Sequence, residues 1–112
     1  MEISEHCEGN VLVAKAMDQR VDARLAPELK QRLLAFVADG HPLIALDLSE
    51  VDFIDSSGLG AIVGALKQIN GQGDLVIVGA KPAVMNLFRL TRMDKVFRMF
   101  GAADEAVAAL SN

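Results

Sequence analysis

A chain of 112 residues, 52% of them apolar, suits one domain spanning 1–112 with a packed core and leaves no room for two. The net charge of −4 argues against a general nucleic-acid binder, and no apolar run is long enough to cross a bilayer, so neither nucleic acid nor membrane insertion is expected. Cys7 is the only cysteine, which excludes an internal disulfide, and Met1-Glu2-Ile3-Ser4-Glu5 lacks the basic region and apolar stretch of a signal peptide, so the expected compartment is the cytoplasm.

Residues 2–7 and 10–17 read as two strands joined at Gly9-Asn10, a hairpin turn signal. Asp22 is then expected to cap a helix. Leu25, Leu29, Leu33, Phe36 and Val37 recur at helical spacing to about Ala38, and Gly40-His41-Pro42 stops the run. Leu43 to Leu48 suits a central strand, apolar on both faces at its start. Residues 57–70 read as a second helix with Leu59, Ile62, Val63, Leu66 and Ile69 inward, ended by Gly71-Gln72-Gly73. Leu75-Val76-Ile77-Val78 is another buried strand. Pro82 opens a third helix at a favoured first-turn position, with Val84, Leu87, Phe88 and Leu90 inward. Residues 96–100 suggest a short last strand, and 103–110 a terminal helix. Strands alternating with helices imply an α/β layer structure, mostly parallel after the first hairpin.

The charges are uneven. Residues 1–80 hold six basic and twelve acidic side chains, whereas residues 81–98 carry Lys81, Arg89, Arg92, Lys95 and Arg98 against Asp94 alone. Such a stretch ordinarily marks a solvated helix face; a dock for an acidic partner surface is the alternative. Phe88 and Phe97 within it look like core residues. His6 and His41 lie far apart without Cys-x-x-Cys or His-x-x-x-His companions, so neither metal nor cofactor is expected. No serine or cysteine stands with either histidine in a nucleophile motif, and Asp47, Glu50, Asp52 and Asp55 read as solvated loop acids; no catalytic residue is expected.

The informative segment is Val51-Asp52-Phe53-Ile54-Asp55-Ser56-Ser57-Gly58-Leu59-Gly60, which joins a buried strand to a helix. Asp55, Ser56 and Ser57 are all capping residue types, and the plain reading is a well-capped helix. Two features add to it. Gly58, Gly60 and Gly64 fall in the first two turns, where each interior glycine costs roughly 0.8–1 kcal/mol relative to alanine, so an internal neighbour or a partner must come close. One or two serine hydroxyls are also left exposed at a positive helix end. The spacing Gly58-x-Gly60-x-x-x-Gly64 is a poor dinucleotide fingerprint, because position 63 is valine and the next strand ends Val78-Gly79-Ala80-Lys81 without an acid.

Leu46-Asp47-Leu48 followed by the 51–60 segment resembles the central signature of the STAS family of anti-sigma-factor antagonists. The resemblance extends over nearly the whole chain, through Val21-Asp22-Ala23 before a Leu-rich helix and Gly79-Ala80-Lys81-Pro82-Ala83-Val84 before Leu87-Phe88. The family usually has a glycine shortly before the first aspartate, where this chain has Met17-Asp18-Gln19-Arg20. The resemblance implies a single STAS domain, a small mixed β-sheet flanked by about four α-helices. It also implies partner switching. The unmodified domain binds an anti-sigma factor that is an ATP-dependent serine kinase, phosphorylation releases it, and a metal-dependent serine phosphatase reverses the change. Carried onto this sequence, the phosphate acceptor is Ser56, with Ser57 as the fallback. Partner contacts are expected at Asp22, Asp55, Ser56, Ser57, Gly58, Leu59, Gly60 and Gly64. The alternative is a STAS subunit of a transport complex or stressosome-like assembly; a third reading, a small nucleotide-binding protein, requires binding of ATP, GTP or NAD.

Overall fold

The computed structural model describes residues 1–111. β1 (Ile3–Glu8) and β2 (Val11–Ala16) form the expected antiparallel hairpin, turning through Gly9 at φ +61°, a left-handed geometry that glycine adopts without penalty. β2 then pairs in parallel with β4 (Leu43–Asp47), β4 with β6 (Asp74–Val78), and β6 with β7 (Met99–Phe100). The five-stranded sheet has the order β1-β2-β4-β6-β7. Four helices cover it: α1 (Ala26–Ala38), α2 (Ser56–Ile69), α3 (Pro82–Leu90) and α4 (Ala103–Ser111).

The sheet's two faces follow from the alternation of side chains along a strand. Leu12, Ala14, Ile44, Leu46, Leu75 and Ile77 point to the layer of α1, α2 and α3, where Leu29, Leu33, Ile62, Val84 and Phe88 close the main core. Val11, Val13, Ala45, Val76 and Val78 point the other way and are covered by Ala106 and Leu110 of α4. The central strands are therefore buried on both faces, which explains their near-continuous apolar sequence.

The structure departs from the sequence reading at four points. Asp22 does not cap α1. Its Oδ1 accepts the Arg24 N–H at 3.1 Å and its carbonyl accepts the N–H groups of Leu25 and Ala26, making a turn ahead of a helix whose first turn contains Pro27. Proline fixes the start because it has no N–H to leave unpaired. Second, Leu90 is not inward: it is 81% exposed, because α3 buries only Val84 and Phe88 fully. Third, the last strand is shorter than 96–100. Arg92 sits at φ +61° and Met93–Lys95 winds into a 3-10 turn, leaving Val96 exposed and Phe97 buried edge-on against Phe88, with ring centroids 5.8 Å apart. Fourth, a separate parallel pair escapes the sequence pattern: β3 (Arg20–Val21) with β5 (Phe53–Ile54).

Candidate functional site

That small pair positions the segment that carried the sequence argument. Gln19 accepts through its carbonyl from the N–H groups of Asp52 (2.8 Å) and Phe53 (3.1 Å), and the Val21 carbonyl accepts from the Asp55 N–H. The chain after Ala16 and the chain after Val51 are thus tied side by side, and Asp22 and Asp55 follow the two paired strands together. The Met17-Asp18-Gln19-Arg20 stretch, which lacks the glycine usual at this point, is held by these backbone bonds.

At the head of α2, Asp55 is the cap. It is extended (φ −100°, ψ −176°), and its Oδ1 accepts the Gly58 N–H at 2.9 Å. This resolves the three-way choice left by the sequence: the aspartate does the capping, and Ser56 becomes the first helical residue. Both Ser56 and Ser57 are exposed, and neither hydroxyl makes a hydrogen bond among the described residues. The N–H groups at the start of a helix have no intrahelical partner and carry partial positive charge, so two free hydroxyls stand at an electropositive end.

The other expected partner contacts separate by burial. Gly58 and Leu59 are buried, so their service is internal and not at a surface. A Cβ at position 58 would stand 2.5 Å from the Val21 carbonyl oxygen and 2.8 Å from Ile54 Cγ1, so glycine is needed for β3 and β5 to lie against α2. Gly60 is exposed with open space around it, whereas a Cβ at Gly64 would meet the end of the Lys30 side chain, on α1, at 3.2 Å. Gly60 and Gly64 therefore do not offer one common free face. Asp22 is half-buried beside Arg24.

Three residues at this end had no partner role in the sequence reading, which took Asp52 as a solvated loop acid. Phe53, 40% exposed, lies opposite Arg20 in the β3–β5 register, and the Arg20 guanidinium stacks 4.3 Å from its ring centroid. Met17 is also partly exposed. Asp52 pairs with Lys81, at the head of α3, rather than standing free. Two-residue strands show no periodicity, so the available signal was only that the apolar pair Phe53-Ile54 stands between Asp52 and Asp55. No group of three or more His, Cys, Asp or Glu side chains among the described residues could hold a metal ion, and no described helix is long and apolar enough to cross a membrane.

Residues 7–106 match the family model for the STAS domain. An anti-sigma-B factor antagonist of Listeria monocytogenes is 32% identical over 80 residues, 70% of each chain. A solved anti-sigma factor antagonist from Mycobacterium paratuberculosis superposes with a TM-score of 0.89 at 28% identity, covering 99% of this chain and 94% of its own. The Bacillus cell fate determinant SpoIIAA in its phosphorylated form superposes with a TM-score of 0.71 over 96% of this chain and 98% of its own; at 15% identity this is a likeness of fold.

Proposed function

The chain belongs to the STAS domain family, and from that premise we propose that it is an anti-sigma-factor antagonist switched by phosphorylation of Ser56. In its unmodified form it binds an anti-sigma factor that is also an ATP-dependent serine kinase, and so frees a sigma factor. Phosphorylation dissociates the pair, and a metal-dependent serine phosphatase restores it. The role is that of a binding module without chemistry of its own. The relatives named anti-sigma factor antagonists support the binding role. Within the chain, the observation that carries the reading is the division of labour at α2: Asp55 supplies the cap, so the Ser56 hydroxyl is free and exposed.

The physics of such a switch is local. A phosphoserine carries about −1.5 to −2 charge at pH 7. The start of α2 accepts that charge without loss of the helix, because Asp55 already satisfies Gly58 and the macrodipole favours an anion there. A partner surface fitted to a neutral hydroxyl next to Phe53 and Gly60 would instead face a solvated dianion. Glu50 and Asp55 add to the negative potential, while Asp52 is already engaged by Lys81. Binding is lost while the fold is kept.

The test is phosphosite mapping after incubation with the cognate kinase and ATP. Ser56→Ala abolishes phosphate incorporation and retains kinase binding. Full labelling of Ser56→Ala moves the acceptor to Ser57 and overturns the assignment. Co-purification of a transporter component in place of a kinase would favour the accessory-subunit reading.

A further inference from the structure

A second feature lies along β7, at the edge of the sheet beside β6. Lys81, which pairs with Asp52, follows the end of β6 near the Ser56 site; Asp74 begins that strand and binds Arg98 at 2.8 Å. Beside Arg98 an open groove of about 600 Å³ runs between α3 and residues 94–100. Its charged lining is Arg89, Lys95 and Arg98 against Asp94, and its apolar lining includes Val96 and Met99.

Apart from Arg98, which Asp74 holds, the basic side chains of this segment are unspent. Among the described residues, Arg89, Arg92 and Lys95 form no ion pair. Two large apolar side chains share the same short segment and face water: Leu90, 81% exposed, and Val96, 52% exposed. A single exposed leucine carries no message. Free cations, two exposed aliphatic side chains and a concave apolar surface together do, in a chain that is otherwise acidic.

We propose that this groove docks a second protein through an acidic segment bearing an apolar anchor, separately from the Ser56 end. The unpaired cations set the sign of the occupant. The groove, with Val96 and Met99 in its lining, sets the need for a side chain that enters it. A flat anionic membrane cannot fill a groove, and it would repel the rest of a chain of net charge −4. Because the lining of the groove shares no residue with the Ser56 site, each can hold its own partner, and the domain can bridge two.

The experiment is an NMR titration of the isotope-labelled full chain with a synthetic peptide alternating Asp or Glu with Leu or Phe. Shift changes are expected in residues 85–100 and not in residues 52–60. Arg89→Glu with Lys95→Glu should weaken binding about tenfold or more, and the neutral pair Arg89→Gln with Lys95→Gln by less. All four changes lie on exposed side chains, and the spectrum of each free variant reports its fold. An oligoglutamate peptide without apolar residues should bind more weakly than the alternating one. Equal binding of the two peptides, undiminished binding by the charge-reversed chain, or no binding at millimolar peptide overturns the proposal. Sedimentation of the chain with phosphatidylserine vesicles, abolished by the same charge reversal, would overturn it in favour of a lipid surface.

Discussion

At Gly58 a single methyl group decides whether β3, β5 and α2 can meet. Alanine there would drive its Cβ into the Val21 carbonyl, a backbone atom that cannot swing aside, so Gly58→Ala should cost about 1–3 kcal/mol despite its better helix propensity. Gly60, two residues on, has open space, and Gly60→Ala should stabilise by about 0.8–1 kcal/mol. Urea unfolding of the two variants checks both signs; stabilisation by Gly58→Ala would mean that α2 can draw back from Val21. Gly60→Gln then tests the partner surface, with the expected result a weaker kinase complex and an undiminished melting temperature. The glycine pattern was visible in the sequence, and it required a close neighbour somewhere. Which glycine met an internal neighbour was not visible, because β3 and β5 are two residues each and leave no alternation to read.

Helix ends account for most of what the sequence left open among the elements. Pro82 marked the start of α3 because proline at the first turn is a strong and local signal. Asp22 was a misleading cap: its side chain makes a turn with Arg24, and Pro27 sets the start of α1 further on. At α2, three capping residue types in succession were degenerate, and only the extended backbone of Asp55 selects it. Asp55→Ala should therefore lower stability by about 1 kcal/mol, read by urea unfolding. Ser56→Asp should leave stability within about 0.5 kcal/mol, since an acid at the first helical position suits the macrodipole but sits beside Asp55. Its effect should fall on the partner. An interface over Ser56 would bury an unpaired charge, so affinity for the kinase should drop at moderate salt while the circular dichroism spectrum stays unchanged. Equal affinities of wild type and Ser56→Asp, with both folded, would count against an interface there.

Across the whole molecule the sheet is covered unequally, and this ranks its parts by local stability. Three helices close one face around Leu29, Leu33, Ile62 and Phe88, while the nine residues of α4 cover the other. The near-continuous apolar runs within residues 43–48 and 75–78 made two buried faces legible from the sequence, and the order of elements gave the parallel core. They did not reveal that an alanine-rich terminal helix would be the sole cover among the described residues, since Ala106, Val107 and Leu110 form only a weak stripe. A helix held by so few apolar contacts should open before the strands beneath it. Native-state hydrogen exchange should therefore give α4 amides a lower opening free energy than those of β4 and β6. Leu110 is 8% exposed and is the largest side chain of α4 in that contact, so Leu110→Ala should cost about 2 kcal/mol, near the low end for such truncations, because a terminal helix can settle inward. The loss should appear chiefly as faster exchange in α4 and over Val11, Val13 and Val76. Phosphorylation at Ser56 should remain unaffected, because Ser56 belongs to the layer on the opposite face. An unchanged unfolding midpoint for Leu110→Ala, with α4 exchange as slow as that of β4, would show that the second face does not depend on this contact.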